Sequence, residues 1–304
     1  MWKGKNVTIF VTGGIAAYKV ATLVRLFIKE EAKVSVAMTK SACEFITPLT
    51  FQVLTKNKVY LDTFDEDEAN KVQHIHLADQ TDVAIVVPAT ANTIAKMANG
   101  IADNFVTSTL LATTAPIYVV PAMNEHMWEN PATVRNVKQL VEDGKSVIEP
   151  ATGFLAEGYT GKGRLPEPEE IFEQITFLES KRVSKSPLKG KSVLITAGGT
   201  KERIDPVRYI SNDSSGKMGY ALARAAAVLG AEVQLISTTK QLKVPYGVQV
   251  TYVESALEMH DVVTHLFPKT DIAVMVAAVS DYYVANRSNQ KIKKQQNELG
   301  LTLE

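Results

Sequence analysis

The stretch Val7-Thr-Ile-Phe-Val-Thr-Gly-Gly14 decides the fold of the first half of this chain. Its β-branched and aromatic run predicts a buried strand, and the Thr-Gly-Gly end predicts a tight turn. Residues 15–31 then show helical periodicity, and residues 33–38 return to a strand pattern. A strand, a helix and a second strand in this order predict a β-α-β unit with parallel strands.

The same alternation of strands and helices continues along the chain and restarts after residue 190. Such alternation predicts an α/β protein with a doubly wound parallel sheet, followed by a second α/β unit. We expect a first domain at 1–180, a polar and basic linker at 181–191 and a second domain at 192–304. Residues 153–168 break the rhythm with four glycines and two prolines, and this composition predicts a mobile flap rather than a core element.

Composition limits the class of protein. The chain has 304 residues, 45% apolar and 22% charged, with zero net charge, so nothing favours nucleic acid or an anionic membrane as a partner. Its single cysteine, Cys43, excludes an internal disulfide and fits a reducing compartment. The sequence shows no signal-peptide layout and no apolar run of the roughly 18–20 residues that a membrane span needs, which predicts a cytoplasmic protein.

The segment Pro121-Ala-Met-Asn-Glu-His-Met-Trp128 follows a predicted strand at 116–120. Open α/β sheets bind their ligands at the carboxyl ends of strands. Two thioethers, an amide, an imidazole and an indole suit a flat ring system. A Met/Trp plug that covers the core is an equally open interpretation of this segment.

The Thr12-Gly13-Gly14 turn exposes backbone N–H groups at a helix start, which suits a phosphate. The next predicted strand ends in Thr39-Lys-Ser41 rather than in an acidic residue that would hold a ribose. This pattern favours a mononucleotide over a dinucleotide. His74 and His76 have no carboxylate or cysteine at ligand spacing, so the pattern disfavours a metal, and a surface histidine is the alternative for either one.

Further motifs accompany these in order: Val11-Thr-Gly-Gly-Ile-Ala-Ala-Tyr-Lys19, His74-Ile-His-Leu77, Pro88-Ala-Thr-Ala-Asn-Thr93, Ala102-Asp-Asn104 and the Pro-x-Met-Asn-x-x-Met-Trp block. The first half therefore resembles the flavin-dependent cysteine decarboxylases. With the second half included, the chain resembles the bifunctional enzymes of coenzyme A biosynthesis, which fuse phosphopantothenoylcysteine decarboxylase to phosphopantothenate–cysteine ligase. The resemblance implies two Rossmann-like domains, the second incomplete.

That resemblance implies FMN as cofactor and 4′-phosphopantothenoylcysteine as substrate. The family's mechanism oxidises the thiol to a thioaldehyde, and this stabilises the loss of CO₂ as an enethiolate. By matching positions, His74 accepts the substrate's proton, Asn124 binds the departing carboxylate and Asn104 hydrogen-bonds the flavin ring, although a helix cap is the alternative for Asn104. The remaining implied FMN contacts are Gly13, Gly14, Ile15, Thr39, Ser41, Ala89, Thr90, Thr107 and Met123.

The flap departs from the family pattern. Family members carry a cysteine there that donates a proton in the final reduction, and this chain has Glu157 at that position. A carboxylic acid could donate the proton if a closed flap desolvates it and raises its pKa. A different donor, a stalled enethiol product and plain surface charge remain open as alternatives.

In the second half, the segment from Arg208 to Gly219 closely resembles the ligase motif. By that match, Asn212 helps to convert an acyl-cytidylate intermediate and Arg208 assists with negative charge. The implied CTP and Mg²⁺ contacts are Met275, Val276, Ala277, Asp281 and Lys291, with Asp281 toward the metal. The family's ligases continue past the position of Glu304, through an Asn-Pro-Asp segment and a lysine-bearing loop. We therefore expect no ligase turnover from this chain alone.

Two other functions remain open at this stage. A non-catalytic or regulatory flavin-binding homologue fits the change at Glu157, whereas His74, Asn124 and Arg164 argue against it. A nicotinamide dehydrogenase is disfavoured by the missing ribose-binding acid. The resemblance also implies a homo-trimer or homo-dodecamer with the flavin site between subunits.

Overall fold

The computed structural model describes residues 1–64, 72–156, 158–183, 186–293 and 299–304. The chain divides into two compact units, Met1–Ile175 and Thr176–Glu304. Among the described residues, no helix combines the length and the apolar character that a membrane crossing requires.

Unit 1 is built on a six-stranded, wholly parallel sheet with the strand order β3-β2-β1-β4-β5-β6. This order confirms the predicted doubly wound parallel fold. The central strands are buried on both faces, so their sequences are continuous apolar runs. The strands are β1 (Asn6–Val11), β2 (Lys33–Met38), β3 (Val59–Tyr60), β4 (Val83–Ala89), β5 (Ile117–Pro121) and β6 (Ser146–Val147).

Side-chain caps start several of the helices that follow these strands. The hydroxyls of Thr39 and Thr90 and the amide oxygens of Asn104 and Asn130 each accept a backbone N–H of the helix that follows. The helices are α1 (Ala17–Lys29), α2 (Lys40–Cys43), α3 (Pro48–Thr55), α4 (Gln73–Gln80), α5 (Ala91–Ala98), α6 (Phe105–Ala112), α7 (Glu125–Glu129), α8 (Pro131–Glu142) and α9 (Pro168–Val183).

The predicted flap is not irregular: it forms an antiparallel hairpin of β7 (Ala151–Phe154) and β8 (Thr160–Arg164). The hairpin is a two-stranded sheet separate from the six-stranded sheet, and its Gly163 allows close contact with the chain after β5. Helix α9 ends at Val183, so it continues into the first residues of the predicted linker.

Unit 2 contains a four-stranded parallel sheet with the order β13-β12-β9-β14 and a separate β10-β11 hairpin. Alanines on one helix pack against the sheet and form the core with Val193, Ile195 and Leu235. The elements are β9 (Ser192–Ala197), β10 (Lys201–Arg203), β11 (Tyr209–Ser211), α10 (Lys217–Val228), β12 (Glu232–Ser237), β13 (Val248–Tyr252), α11 (Ala256–Leu266) and β14 (Ile272–Met275).

Candidate active site

The strand order of unit 1 reverses between β1 and β4, and a cavity of about 590 Å³ opens beyond the carboxyl ends of these strands. The turn after β1 and the start of α5 form one side of the cavity, and the chain after β5 forms another. Its lining includes six of the residues implicated by sequence: Gly13, Gly14, Ile15, Thr90, Met123 and Asn124.

Thr12 joins the two strand ends at this switch point. Its buried hydroxyl donates to the carbonyl oxygen of Pro88 at 2.5 Å and accepts from the backbone N–H of Thr90 at 3.1 Å. The turn after β1 and the turn after β4 are therefore fixed relative to each other.

Gly13 brings the β1 turn into direct contact with the turn after β2. A Cβ at Gly13 would overlap the Cβ of Ser41 and would lie 3.0 Å from the Ser41 carbonyl carbon. At Gly14, by contrast, the nearest atom to an added Cβ is 3.7 Å away, on Pro88. The first glycine is thus required for the close approach of the two loops, which produces a cradle lined by main chain.

A second cavity, of about 530 Å³, lies beside the first and shares Gly13 and Thr90 with it. Hydroxyl and amide groups from three further predicted positions, Thr39, Ser41 and Asn104, line it. Lys96 and Asp103 also line it and form an ion pair at 2.6 Å, and the Lys96 hydrogen bond holds the pKa of Asp103 below its ordinary value.

Asn104 is both a lining residue and the cap of α6. Its side chain accepts from the backbone N–H of Thr107 at 3.1 Å, and the Thr107 hydroxyl accepts from the backbone N–H of Asn104 at 3.3 Å. Thr107 is buried in this reciprocal cap and Ala89 is buried at the end of β4; neither lines the two cavities.

His74 lies on α4, with its ring centre 6.4 Å from the ring centre of Phe105 in an edge-on arrangement. Its Nδ1 atom is buried and has no hydrogen-bond partner among the described residues. A buried ring nitrogen without a partner is costly in a fold and available to a ligand. Within the described ranges, no three His, Cys, Asp or Glu side chains are grouped as metal ligands.

The Pro121–Trp128 segment is held against the β7-β8 hairpin. The backbone N–H of Met123 donates to the Gly163 carbonyl oxygen at 3.0 Å, and the carboxylate of Glu125 accepts from the backbone N–H of Lys162 at 2.9 Å. Met123 also packs against the apolar core, so both interpretations of this segment describe part of it. Glu157, at the tip of the hairpin in sequence, lies outside the described residues.

Sequence inspection did not find an ion-pair cluster at the edge of the first cavity. One carboxylate oxygen of Glu167 accepts from Lys19 at 2.9 Å and from Arg164 at 2.5 Å. The hydrogen bond from Lys19, together with Arg164, holds the pKa of Glu167 below its ordinary value. Lys19 and Arg164 belong to quoted motifs, but only the fold reveals their common partner.

Unit 2 contains a polar cavity of about 920 Å³ at the carboxyl edge of its sheet. Asn212 lines it together with Gly199, Lys201 and Lys240. The Asn212 amide donates to the carbonyl oxygens of Ala278 at 3.3 Å and Val279 at 3.2 Å, which connects the ligase-like motif to the chain after β14.

Arg208 does not line this cavity. Its guanidinium bonds to the buried carboxylate of Asp205 at 2.5 Å and to the carbonyl oxygen of Ile292 at 2.8 Å. The Arg208 bond and three backbone N–H groups hold the pKa of Asp205 far below its ordinary value. In this structure, Arg208 therefore fixes the loop between β10 and β11 to the chain at Ile292.

The other residues implicated in unit 2 lie at the end of β14 and on the chain that follows it. The backbone N–H groups of Val276 and Ala277 both donate to the Thr196 hydroxyl at 3.1 Å, while the Met275 side chain is exposed. Asp281 and Lys291 are also exposed and are not among the residues that line the polar cavity.

Known proteins match the whole chain. The Flavoprotein family model matches residues 1–178, and the model of the DNA/pantothenate metabolism flavoprotein C-terminal domain matches residues 188–304. The coenzyme A biosynthesis bifunctional protein CoaBC of Bacillus subtilis is 48% identical over 307 residues, which cover all of this chain and 74% of that protein. The chain belongs to the CoaBC family.

A CoaBC protein of Mycobacterium tuberculosis is 46% identical over 292 residues, which cover 95% of this chain and 69% of that protein. Among solved structures, a PPC decarboxylase mutant complexed with pantothenoylaminoethenethiol matches with a TM-score of 0.53 and 32% identity, over 58% of this chain and 99% of that one. The FMN binding protein AtHal3 matches with a TM-score of 0.52 and 33% identity, over 59% of this chain and 98% of that one.

Proposed function

We propose that unit 1 is an FMN-dependent decarboxylase, which converts 4′-phosphopantothenoylcysteine to 4′-phosphopantetheine in coenzyme A biosynthesis. The observation that carries this proposal is the cavity at the β1/β4 switch point, where the glycine turn and the Met123–Asn124 segment of the family motif line one space. Membership of the CoaBC family and the likeness to a PPC decarboxylase support it.

The residues present fit FMN. A Cβ at Gly13 would close the main-chain cradle, and the neighbouring Thr39 and Ser41 offer hydroxyls for a phosphate or ribityl chain. The cradle, with Gly14 and Ile15, would hold the phosphate end, and Thr90, Asn104 and Met123 would hold the ring end. Ala89 and Thr107 would support these contacts indirectly: Ala89 is the last residue of β4, and Thr107 is part of the cap of α6.

When bound, FMN supplies the reversible two-electron chemistry that makes an otherwise unstabilised decarboxylation feasible. The chain's own residues supply proton transfer and orientation. His74 is our proposed acceptor of the substrate's proton, on the strength of its motif: its buried Nδ1 has no hydrogen-bond partner among the described residues, and its ring is not among the groups that line the two cavities. Asn124 can donate an N–H to the substrate's carboxylate from the wall of the cavity.

We further propose that unit 2 derives from a CTP-dependent, Mg²⁺-requiring phosphopantothenate–cysteine ligase. Asn212 lies in a polar cavity that basic side chains (Lys201, Arg203, Lys240) and acidic side chains (Asp213, Glu254, Glu258) line together. The basic side chains would contact the phosphates of the nucleotide. Asp281 and Lys291 remain its proposed metal and phosphate contacts. The chain is proposed to work in the cytoplasm as a homo-trimer or homo-dodecamer.

The test is anaerobic incubation of the purified, flavin-loaded protein with 4′-phosphopantothenoylcysteine, followed by mass spectrometry of the product. We expect 4′-phosphopantetheine, and Glu157→Gln then tests whether Glu157 donates the final proton. A product two hydrogens lighter would mean that CO₂ is lost but the final reduction stalls. No product would refute the decarboxylase and favour the regulatory homologue that the change at Glu157 suggests.

A further inference from the structure

The hairpin reaches the family's asparagine through a side chain that no motif identifies. The Asn124 amide nitrogen donates to the Tyr159 hydroxyl at 2.8 Å, and the two residues are 35 positions apart in sequence. Asn124 lines the first cavity, whereas Tyr159 directly precedes β8, the second strand of the hairpin. The hydrogen bond therefore joins the hairpin to a group in the proposed catalytic site.

The amide of Asn124 is held at both ends. Its oxygen accepts from the backbone N–H of His126 at 2.9 Å and so caps α7. The nitrogen carries the two N–H donors of the amide. Tyr159 takes one of the two N–H groups on that nitrogen. Among the described residues, no partner takes the second N–H, so it can donate to a ligand in the cavity; an ionised carboxylate, which is only an acceptor, suits it.

Tyr159 is itself fixed by the backbone. Its carbonyl oxygen accepts from the backbone N–H of Leu155 at 2.8 Å across the hairpin turn. The hairpin is in turn held by the Met123–Gly163 and Glu125–Lys162 hydrogen bonds. The main chain of Tyr159 therefore has a defined place, and the Asn124 amide is held by its two hydrogen bonds, to His126 and to the Tyr159 hydroxyl.

We infer that Tyr159 is a positioning residue for decarboxylation, because it orients the Asn124 amide so that an N–H faces the substrate's carboxylate. This inference rests on the proposed function of unit 1. Without the hydroxyl, Asn124 keeps its cap but loses its second tether, and a carboxylate must order the amide when it binds. Ordering one such side chain corresponds to a roughly 3- to 10-fold loss of affinity.

The test compares two unreactive ligands that differ only in the carboxylate. One is 4′-phosphopantothenoylserine, whose hydroxyl replaces the thiol and blocks the redox chemistry; the other is its decarboxylated counterpart. We expect Tyr159→Phe in the flavin-loaded protein to weaken the carboxylate-bearing ligand roughly 3- to 10-fold and to leave the other within about twofold. Titration calorimetry of both ligands measures this difference.

Lys162→Met is the matched control. Lys162 is on the same strand of the hairpin, and its side chain pairs with Glu149 at 2.6 Å rather than with Asn124. This variant should bind both ligands like the unmodified chain. In an Asn124→Ala background, Tyr159→Phe should have no further effect, because the group that it positions is gone.

Two outcomes would overturn the inference: equal weakening of both ligands by Tyr159→Phe, which would show a general role in hairpin folding, or no weakening of either. Release of CO₂ from 4′-phosphopantothenoylcysteine by the unmodified chain is measured in parallel. Its absence would refute the proposed function, whereas its presence with an unaffected Tyr159→Phe would refute only the role of Tyr159.

Discussion

Replacement of Gly163 by alanine tests whether the β7-β8 hairpin must dock on the Met123–Glu125 segment for activity. An added Cβ would overlap the carbonyl oxygen of Met123, a backbone atom that cannot move unless the chain between β5 and α7 moves with it. Such overpacking destabilises the docked hairpin by about 1–3 kcal/mol. Loss of the Met123–Gly163 hydrogen bond adds about 1 kcal/mol. The docked hairpin should therefore lose roughly 2–4 kcal/mol relative to the undocked one.

A loss of that size shifts the docking equilibrium by a factor of about 30 to 1,000. Hydrogen exchange reports it directly, because the backbone N–H groups of Met123 and Lys162 both donate across the docked contact. We expect both amides to exchange faster in Gly163→Ala and kcat/KM for decarboxylation to fall, while amides in β1 and β4 stay protected. Lys162→Met should exchange like the unmodified chain at Met123.

A normal exchange rate at both amides with reduced activity would refute the reasoning, because activity would then depend on Gly163 for another reason. Normal activity with an undocked hairpin would refute it equally, since the site would not need the docked arrangement.

Two further predictions concern ionised groups. Because Lys19 and Arg164 lower the pKa of Glu167, its ionised form stabilises the fold at neutral pH by under about 1 kcal/mol. The melting temperature of Glu167→Gln should therefore lie below that of the unmodified chain at pH 7. This difference in melting temperature should disappear as the pH falls below about 4. A gap that persists or widens in acid would contradict this. Asp205→Asn removes the carboxylate that holds Arg208 and three backbone N–H groups, so scanning calorimetry should show a lower melting temperature for unit 2; an unchanged transition would show that this network adds no stability.

The central elements of the fold could be predicted because their signals are local. A β-branched run such as Val7–Val11 and the glycines that follow it determine a strand and a turn without reference to distant residues. The dipeptide Asn130-Pro131 is an equally local signal, because it indicates the start of α8. The strand order reverses at the turn that carries Gly13, so the position of the first cavity follows from these elements.

The remaining features depend on contacts between distant residues. Lys19 and Glu167 are 148 positions apart, and nothing near either residue identifies the other as its partner. The hairpin at 151–164 was missed because its glycines suggest a loop. Gly163 is required instead by the backbone carbonyl oxygen of Met123 that lies against it, and Gly161 lies against the side-chain carboxylate of Glu125. Tyr159 has no motif of its own, and only its bond to Asn124 gives it a role.

The most direct test of the account is the release of CO₂ from carboxyl-labelled 4′-phosphopantothenoylcysteine, measured against the flavin content of the purified protein. We expect release in proportion to bound FMN, with Gly13→Ala lowering the bound flavin and the release together because it closes the cradle against Ser41. A fully flavin-loaded protein that releases no CO₂, or a Gly13→Ala variant that binds FMN normally, would contradict the assignment of this cavity as the active site.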